Sequence, residues 1–417
     1  MRTATGETGT STDGETAVVA QPRPASPLQA GNGALTITVS DNMVPLEAEW
    51  RGLERDRLIS LHQSFGWCAA WVETYRPTLA ILHASIGSEV AFILPLEIVR
   101  SHGVRTARFI GAPRSNINTG LFSAKFLADV TTLSADVQAA IAVALRGHAD
   151  LLLLSNLPLE WRGRVSPLAS LPFVENQNRA FQLPLLGSFE ETLSQVNAKR
   201  RRKKHRSQTK LLNEIGGFEH VVATTSEEKR RMLDLFLQQK AERFRAAGLP
   251  DVFQGSDARD FLLRLLATKN VEGDSIALEL HAIRLKGRHD GHLPAIAALS
   301  RKGDHVICQF ASIDESVVPE ASPGELLFWV MIEKCQESGV ALFDFGIGDQ
   351  LYKRSWCPVQ TVQHDILLPV SPLGRVAAFG QRSMTRAKAL IKGNPRLYSA
   401  IQKLRARRQQ ATTPDEA

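Results

Sequence analysis

The sequence predicts a mixed α/β fold, with mixed sheets, present as two tandem copies. Three observations carry that expectation. The stretch 304–345 reads as strand, helix and strand in succession. Both halves share a plan of helix, strand meander, helix and strand. The chain has 417 residues and 43% hydrophobic content, enough for two domains with separate cores.

The elements follow in order. Residues 1–33 are rich in Thr, Gly, Pro, Ala and Ser, lack aromatics, and read as a disordered arm. A helix is expected over 56–75, where Leu58, Leu61, Phe65, Ala69 and Val72 fall near helical spacing. Strands at 79–85, 90–98 and 104–110 come next, the first two joined by a turn at Ile86-Gly87-Ser88-Glu89. A helix over 129–147 and a strand over 151–154 complete a first domain, 34–185.

The second domain, 186–371, opens on the capping box Ser188-x-x-Glu191. Its helix is expected to run through a basic cluster to Gly216-Gly217. A strand at 218–223, helices at 226–247 and 257–268, and a meander of strands at 276–286, 293–301 and 304–313 follow. Helix 323–338, closed by Gly339, leads into strand 340–345. Residues 372–417 read as a basic helical tail broken at Gly393-Asn394-Pro395.

Composition excludes several classes. There is no run of eighteen apolar residues to span a bilayer. Glu7, Asp13 and Glu15, with no apolar core, argue against a signal peptide, so a cytoplasmic protein is expected. The four cysteines form no C-x-x-C pair and read as free thiols. His289-Asp290-Gly291-His292 lacks further ligands nearby, so no metal is expected. No G-x-S-x-G elbow accompanies the serines.

The net charge of +7 is concentrated. Seven cations lie within 199–206 and ten between Arg375 and Arg408, which leaves the remainder at −10.

Chemistry is expected at the end of the chain's second half. Ser322 suits an N-cap, Pro323 the first helical position, and Gly324 a close approach of ligand to backbone. Free N–H groups there favour a phosphate or pyrophosphate. Glu325 completes a Ser-x-x-Glu box and competes for the same donors, so a plain capped helix is the alternative. After strand 340–345, Gly346 and Gly348 permit positive φ or contact with a substrate. Asp344 and Asp349 are candidate bases, Tyr352 a candidate acid for a leaving thiolate, and Lys353 a fixed cation. A solvated polar loop is the other reading.

These residues carry a family resemblance. From about Phe65 to Trp356 the chain resembles the acetyltransferases associated with bacterial cellulose and exopolysaccharide synthesis, a branch of the GNAT superfamily. The matching features are Phe65-x-x-x-x-x-Trp71, the Arg-rich helix 199–206 and Gln239-Lys240-x-x-Arg243. Two further motifs, Ser322-Pro323-Gly324-x-Leu326-Leu327 and Phe343-Asp344-Phe345-Gly346-x-Gly348-Asp349-x-x-Tyr352-Lys353-x-x-Trp356, are specific in combination.

The resemblance implies two GNAT-like domains, the second holding acetyl-CoA or another acyl-CoA. Ser322, Pro323 and Gly324 would meet the pyrophosphate, and Ala311 and Ser312 the thioester. Arg243 and Trp356 join Gly346, Gly348 and Lys353 as expected substrate-binding residues. The acceptor would be an amine or hydroxyl of a sugar or polysaccharide precursor. The usual loop, Gln/Arg-x-x-Gly-x-Gly/Ala, is not present in that form. In the first half, Gly111–Asn118 stands where related sequences place an acid and glycine-rich turn.

The cluster 199–206 has no interleaved aromatics, and nucleic acid is not the expected partner. tRNA enters only under an alternative: the doubled plan is shared with transferases that move aminoacyl groups onto peptidoglycan precursors. A third possibility is a non-catalytic accessory of a polysaccharide synthase. The tail 375–408 is expected to pack on the second domain, with an anionic membrane surface as the alternative.

Overall fold

The computed structural model describes residues 28–30, 33–268 and 275–393. Residues 1–27 of the expected arm, and the tail beyond 393, lie outside them. Leu28–Ala30 is a short strand paired with the start of Gly33–Ser40, where the sequence suggested disorder.

Three large sheets organise the described residues, beside a two-stranded ribbon of Glu160–Trp161 and Arg164–Val165. A five-stranded sheet and a six-stranded sheet form the first unit, and a seven-stranded sheet forms the second. In each unit one pair of strands is parallel: Val104–Phe109 with Leu151–Leu157, and His305–Ile313 with Leu342–Ile347. Both units thus repeat one mixed α/β plan in tandem.

The units exchange strands. Ala180–Pro184 lies between Leu342–Ile347 and Val359–Thr361 in the seven-stranded sheet. His364–Pro369 inserts between Phe173–Glu175 and Leu151–Leu157 in the six-stranded sheet. Neither sheet is therefore contiguous in sequence.

Local signals explain most helices. Ser64 caps Phe65–Tyr75 by accepting from Trp67 N–H. Thr225 and Glu228 form a reciprocal capping box for Ser226–Ala246. The helix expected to run unbroken from 188 is two helices, Phe189–Ser194 and Ala198–Glu214. Asn197 caps the second by accepting from Arg200 N–H. Likewise 129–147 resolves into Ala124–Asp129 and Ala135–Ala144, each capped by its own serine. Within 56–64, only the short turn Leu61–Gln63 is helical.

The units are joined by a shared apolar core. Helix Phe65–Tyr75 packs on helix Ser256–Ala267, and Trp67 and Trp71 meet the edge of Phe261 at centroid distances of 5.5 and 5.2 Å. Arg162 adds a bidentate bond to Asp304, at 2.7 and 2.9 Å.

The tail helix Pro372–Gly393 packs against the six-stranded sheet, on His364–Pro369 from the expected second domain and on Phe173–Glu175, Leu151–Leu157 and Val104–Phe109 from the first. Strand exchange is the reason: His364–Pro369 has already carried the chain back into that sheet.

Candidate active site

The parallel pair in the seven-stranded sheet opens into a fork. His305, Val306 and Ile307 pair with Leu342, Phe343 and Asp344, and there the pairing ends while both strands continue. A bulge shifts the register, so Leu299 faces Cys308 while Ala298 faces Phe310, leaving Gln309 over. On the other arm Gly346 adopts φ 70°, which redirects the strand.

The first unit has a fork too, beyond Thr106/Leu151 and Ala107/Leu152. There protein fills the gap. Asn118 N–H donates to Asn156 O at 2.9 Å and Asn118 Nδ2 to Ser155 O at 2.7 Å. Asn156 Nδ2 returns a bond to Ser115 O at 3.0 Å. The turn singled out in the sequence is thus a plug.

The plug also reaches the second fork. Asn116 Nδ2 donates to Gln309 Oε1 at 3.1 Å, and Asn116 Oδ1 accepts from Ile347 N–H at 3.4 Å. One side chain bridges the two arms at the fork's base. A Cβ on Gly346 would lie 2.7 Å from Asn116 Oδ1, so only glycine fits. His62, fully buried, has Nε2 3.2 Å from Gln309 Nε2, while its Nδ1 lies 3.2 Å from Ile117 O. Desolvation lowers its pKa to about 4, so the imidazole is neutral.

Beside the fork, helix Pro323–Glu337 begins differently from the expected capping box. Ser322 is left-handed, φ 46°, and its side chain caps nothing. Glu325 is instead held by Arg201, at 3.1 Å, and by Lys204. Its carboxylate therefore does not compete for the helix donors, and Gly324 N–H has no partner among the described residues. Gln208 Nε2 donates to Ser322 O at 3.1 Å. Gly324 is tightly enclosed, since a Cβ would lie 2.6 Å from Ile313 Cγ2.

The remaining predicted residues divide into three places. Tyr352 stacks on Phe328 at 5.3 Å and stays 39% exposed. Burial pushes its pKa up, Cys308 and Cys357 add to this, and Arg243 opposes it. Arg243 is exposed on helix Ser226–Ala246. Lys240, one turn earlier, is within electrostatic reach of Arg243, Cys308 and Lys353, and desolvation lowers its pKa. Burial pushes the Cys308 thiol up to about 12.

Asp344 lies on the opposite face of the sheet. It is fully buried, accepts from Gln182 Nε2 at 2.9 Å and Gly346 N–H at 2.6 Å, and lies 3.4 Å from His305 Nε2. Asp349 forms a bidentate pair with Arg354, and Gly348 N–H donates to Arg179 O at 3.2 Å.

Four further predicted residues lie around the fork. Lys353 is buried and donates to Ile347 O at 2.7 Å. Trp356 is buried under the Arg201 guanidinium, 3.4 Å from its ring centroid. Ser312 Oγ donates to Gln239 Oε1 at 2.6 Å, away from the fork, and Ala311 packs toward helix Pro323–Glu337. The groups that sequence reasoning missed are Asn116, Gln309 and His62. The pair Lys240/Arg243, three apart on one helix, was the signal available for Lys240.

Comparison with known proteins bears on the fold. Residues 199–354 match the family model described as acetyltransferase (GNAT) domain. No curated protein matches the sequence. Among solved structures, FemX shares 13% identity, with 80% of this chain and 98% of that chain covered, at a TM-score of 0.54. The C-terminal domain (DUF2156) of a putative lysylphosphatidylglycerol synthetase from Agrobacterium fabrum shares 12%, covering 81% and 96%, at 0.49. A tandem GNAT protein from the clavulanic acid biosynthesis pathway shares 14%, covering 81% and 99%, at 0.40. At such identities the likeness is one of fold. Residues 199–354 of the second unit are thus similar to a GNAT domain, and the chain as a whole is similar in fold to FemX.

Proposed function

We propose that this protein is an acyl-CoA-dependent acyltransferase that works at the second fork, with acetyl-CoA as donor. The observation that carries the reading is the fork itself, which opens beside a helix start whose own first-turn carboxylate, Glu325, is held aside by Arg201 and Lys204. The pyrophosphate would lie against Ser322, Pro323 and Gly324, where helix amides and the positive helix end favour it. The pantetheine arm would run between the strands. Ala311 and Ser312 would offer main-chain groups to the thioester, since the Ser312 hydroxyl is committed to Gln239.

An acceptor amine or hydroxyl attacks the thioester carbon. The new C–N or C–O bond forms as the C–S bond breaks. Tyr352 is protonated and would give its proton to the departing thiolate, regaining one from solvent as the acceptor loses its own; burial, which raises its pKa, works against this step. Arg243 and Lys240 supply positive charge to orient the acceptor. Lys353, Gly346, Gly348 and Trp356 hold the strand end in place. In this reading Asp344 and Asp349 brace the site through Gln182 and Arg354, and the acceptor's proton passes to solvent. No metal takes part in the transfer as proposed. The family resemblance favours a sugar or polysaccharide precursor as acceptor, in exopolysaccharide or cellulose synthesis, and a cytoplasmic setting.

The test is thiol release from acetyl-CoA with a panel of amino sugars and sugar nucleotides. Tyr352→Phe should slow release by roughly 10²- to 10⁴-fold without altering the Kd for acetyl-CoA. Equal rates for both proteins would remove Tyr352 from the mechanism.

A second reading is transfer from aminoacyl-tRNA. It is favoured by one observation: Lys199, Arg200, Arg202, Lys203 and Arg206 are exposed on the helix that lies against the Ser322 turn. RNA affinity that falls steeply with salt, and is lost when these five are neutralised, would support it.

A further inference from the structure

Helix Pro372–Gly393 turns its apolar side outward. Its packing face is small, with Gly374, Ala378 and Thr385 buried against the six-stranded sheet. Leu373, Val376, Phe379, Met384 and Leu390 are all exposed, Val376, Phe379 and Leu390 at 70, 74 and 75%. At helical spacing these five fall on one continuous stripe. Arg375, Arg382 and Arg386 border one side of it, and Lys388 borders the other. No acidic residue occurs anywhere in 372–393.

We propose that this face docks on the surface of an anionic lipid bilayer. Exposed apolar side chains flanked by cations match the boundary between acyl chains and negatively charged headgroups. Two other occupants fit less well on charge. A second copy would bring five like charges against five. The segment 394–417 carries Arg396, Lys403, Arg405, Arg407 and Arg408 against only Asp415 and Glu416, so it too would meet the stripe with like charge.

The placement has a consequence for access. Leu390, with Arg386 and Lys392, also borders a groove of about 1340 Å³ that reaches Arg179 and the Asp349–Arg354 pair. Docking through the stripe brings that groove to the bilayer, beside the loop that follows strand Leu342–Ile347. The proposal does not rest on acyl transfer, and it holds equally for either reading of the chemistry.

Vesicle co-sedimentation of the full chain tests it. Vesicles of phosphatidylcholine mixed with phosphatidylglycerol should bind the protein, and phosphatidylcholine alone should bind it far less. The double variant Phe379→Ser/Leu390→Ser should bind the mixed vesicles about tenfold or more weakly. Arg375→Gln/Arg382→Gln/Arg386→Gln should lose binding on the order of a hundredfold, together with its salt dependence. Unchanged thermal unfolding of both variants shows that the fold is intact, as expected for the exposed Phe379, Leu390, Arg375 and Arg386, and checks the half-buried Arg382. A chain ending at Gly393 should still bind. The proposal is overturned by no binding to the mixed vesicles, by equal binding of the variants, or by loss of binding on that truncation alone. It is also overturned by a dimer in solution that Phe379→Ser dissociates.

Discussion

Asn116 Nδ2 lies 3.1 Å from Gln309 Oε1, so a side chain from the closed fork of one unit forms the base of the open fork in the other. The same residue accepts from Ile347 N–H on the opposite arm. The two units are therefore not independent copies. The first has given up its own gap and braces that of the second.

Asn116→Ala should expose the consequence. It strips Gln309 of a donor and Ile347 of an acceptor in a partly buried place. A loss of about 1–3 kcal/mol is expected in urea unfolding, with weaker acetyl-CoA binding. Wild-type stability in the variant would mean that the bridge is incidental.

Arg201 should matter more than its place in a basic cluster suggests. It is buried, lies over Trp356, and bonds both Glu325 and Ser355. Arg201→Met should cost about 3 kcal/mol, because a partly buried Glu325 keeps only Lys204 and two Ser355 acceptors lose their donor. Arg354→Met removes only an exposed partner of Asp349 and should change stability by less than about 1 kcal/mol. Denaturation of the two variants side by side checks the contrast.

His62 predicts an acid-sensitive fold. Its folded pKa, about 4, lies below the ordinary value of 6.5. Between these values the unfolded chain binds more protons than the folded one. Stability is thus fully present above about pH 6.5, falls as the pH drops, and levels off below about pH 4, with up to roughly 3 kcal/mol lost. His62→Gln should flatten this window in urea titrations at successive pH values. A profile as steep as that of the wild type would assign the sensitivity elsewhere.

Much of the second unit was legible because its signals are local. Phe343-Asp344-Phe345 alternates as a strand does, Gly339 ends a helix, and Ser322-Pro323-Gly324 marks the start of one. The strand exchange was not legible. Ala180–Pro184 pairs with residues some 160 positions away, and nothing in five residues specifies that partner. The roles of the acids were open for a related reason. Alternation shows that Asp344 and Phe345 point to opposite faces, but not which face holds the site. The plug at Ser115–Asn118 reads as an ordinary polar turn until the fork it fills is seen.

The central claim is that one acyl-CoA binds, at the second fork, against the Gly324 helix start. Calorimetry with acetyl-CoA on the wild type and on Gly324→Trp tests it most directly, with unfolding midpoints confirming that both proteins are folded. One saturable site per chain in the wild type and none in a folded variant is the expected result. Equal binding by both, or two sites in the wild type, would contradict it.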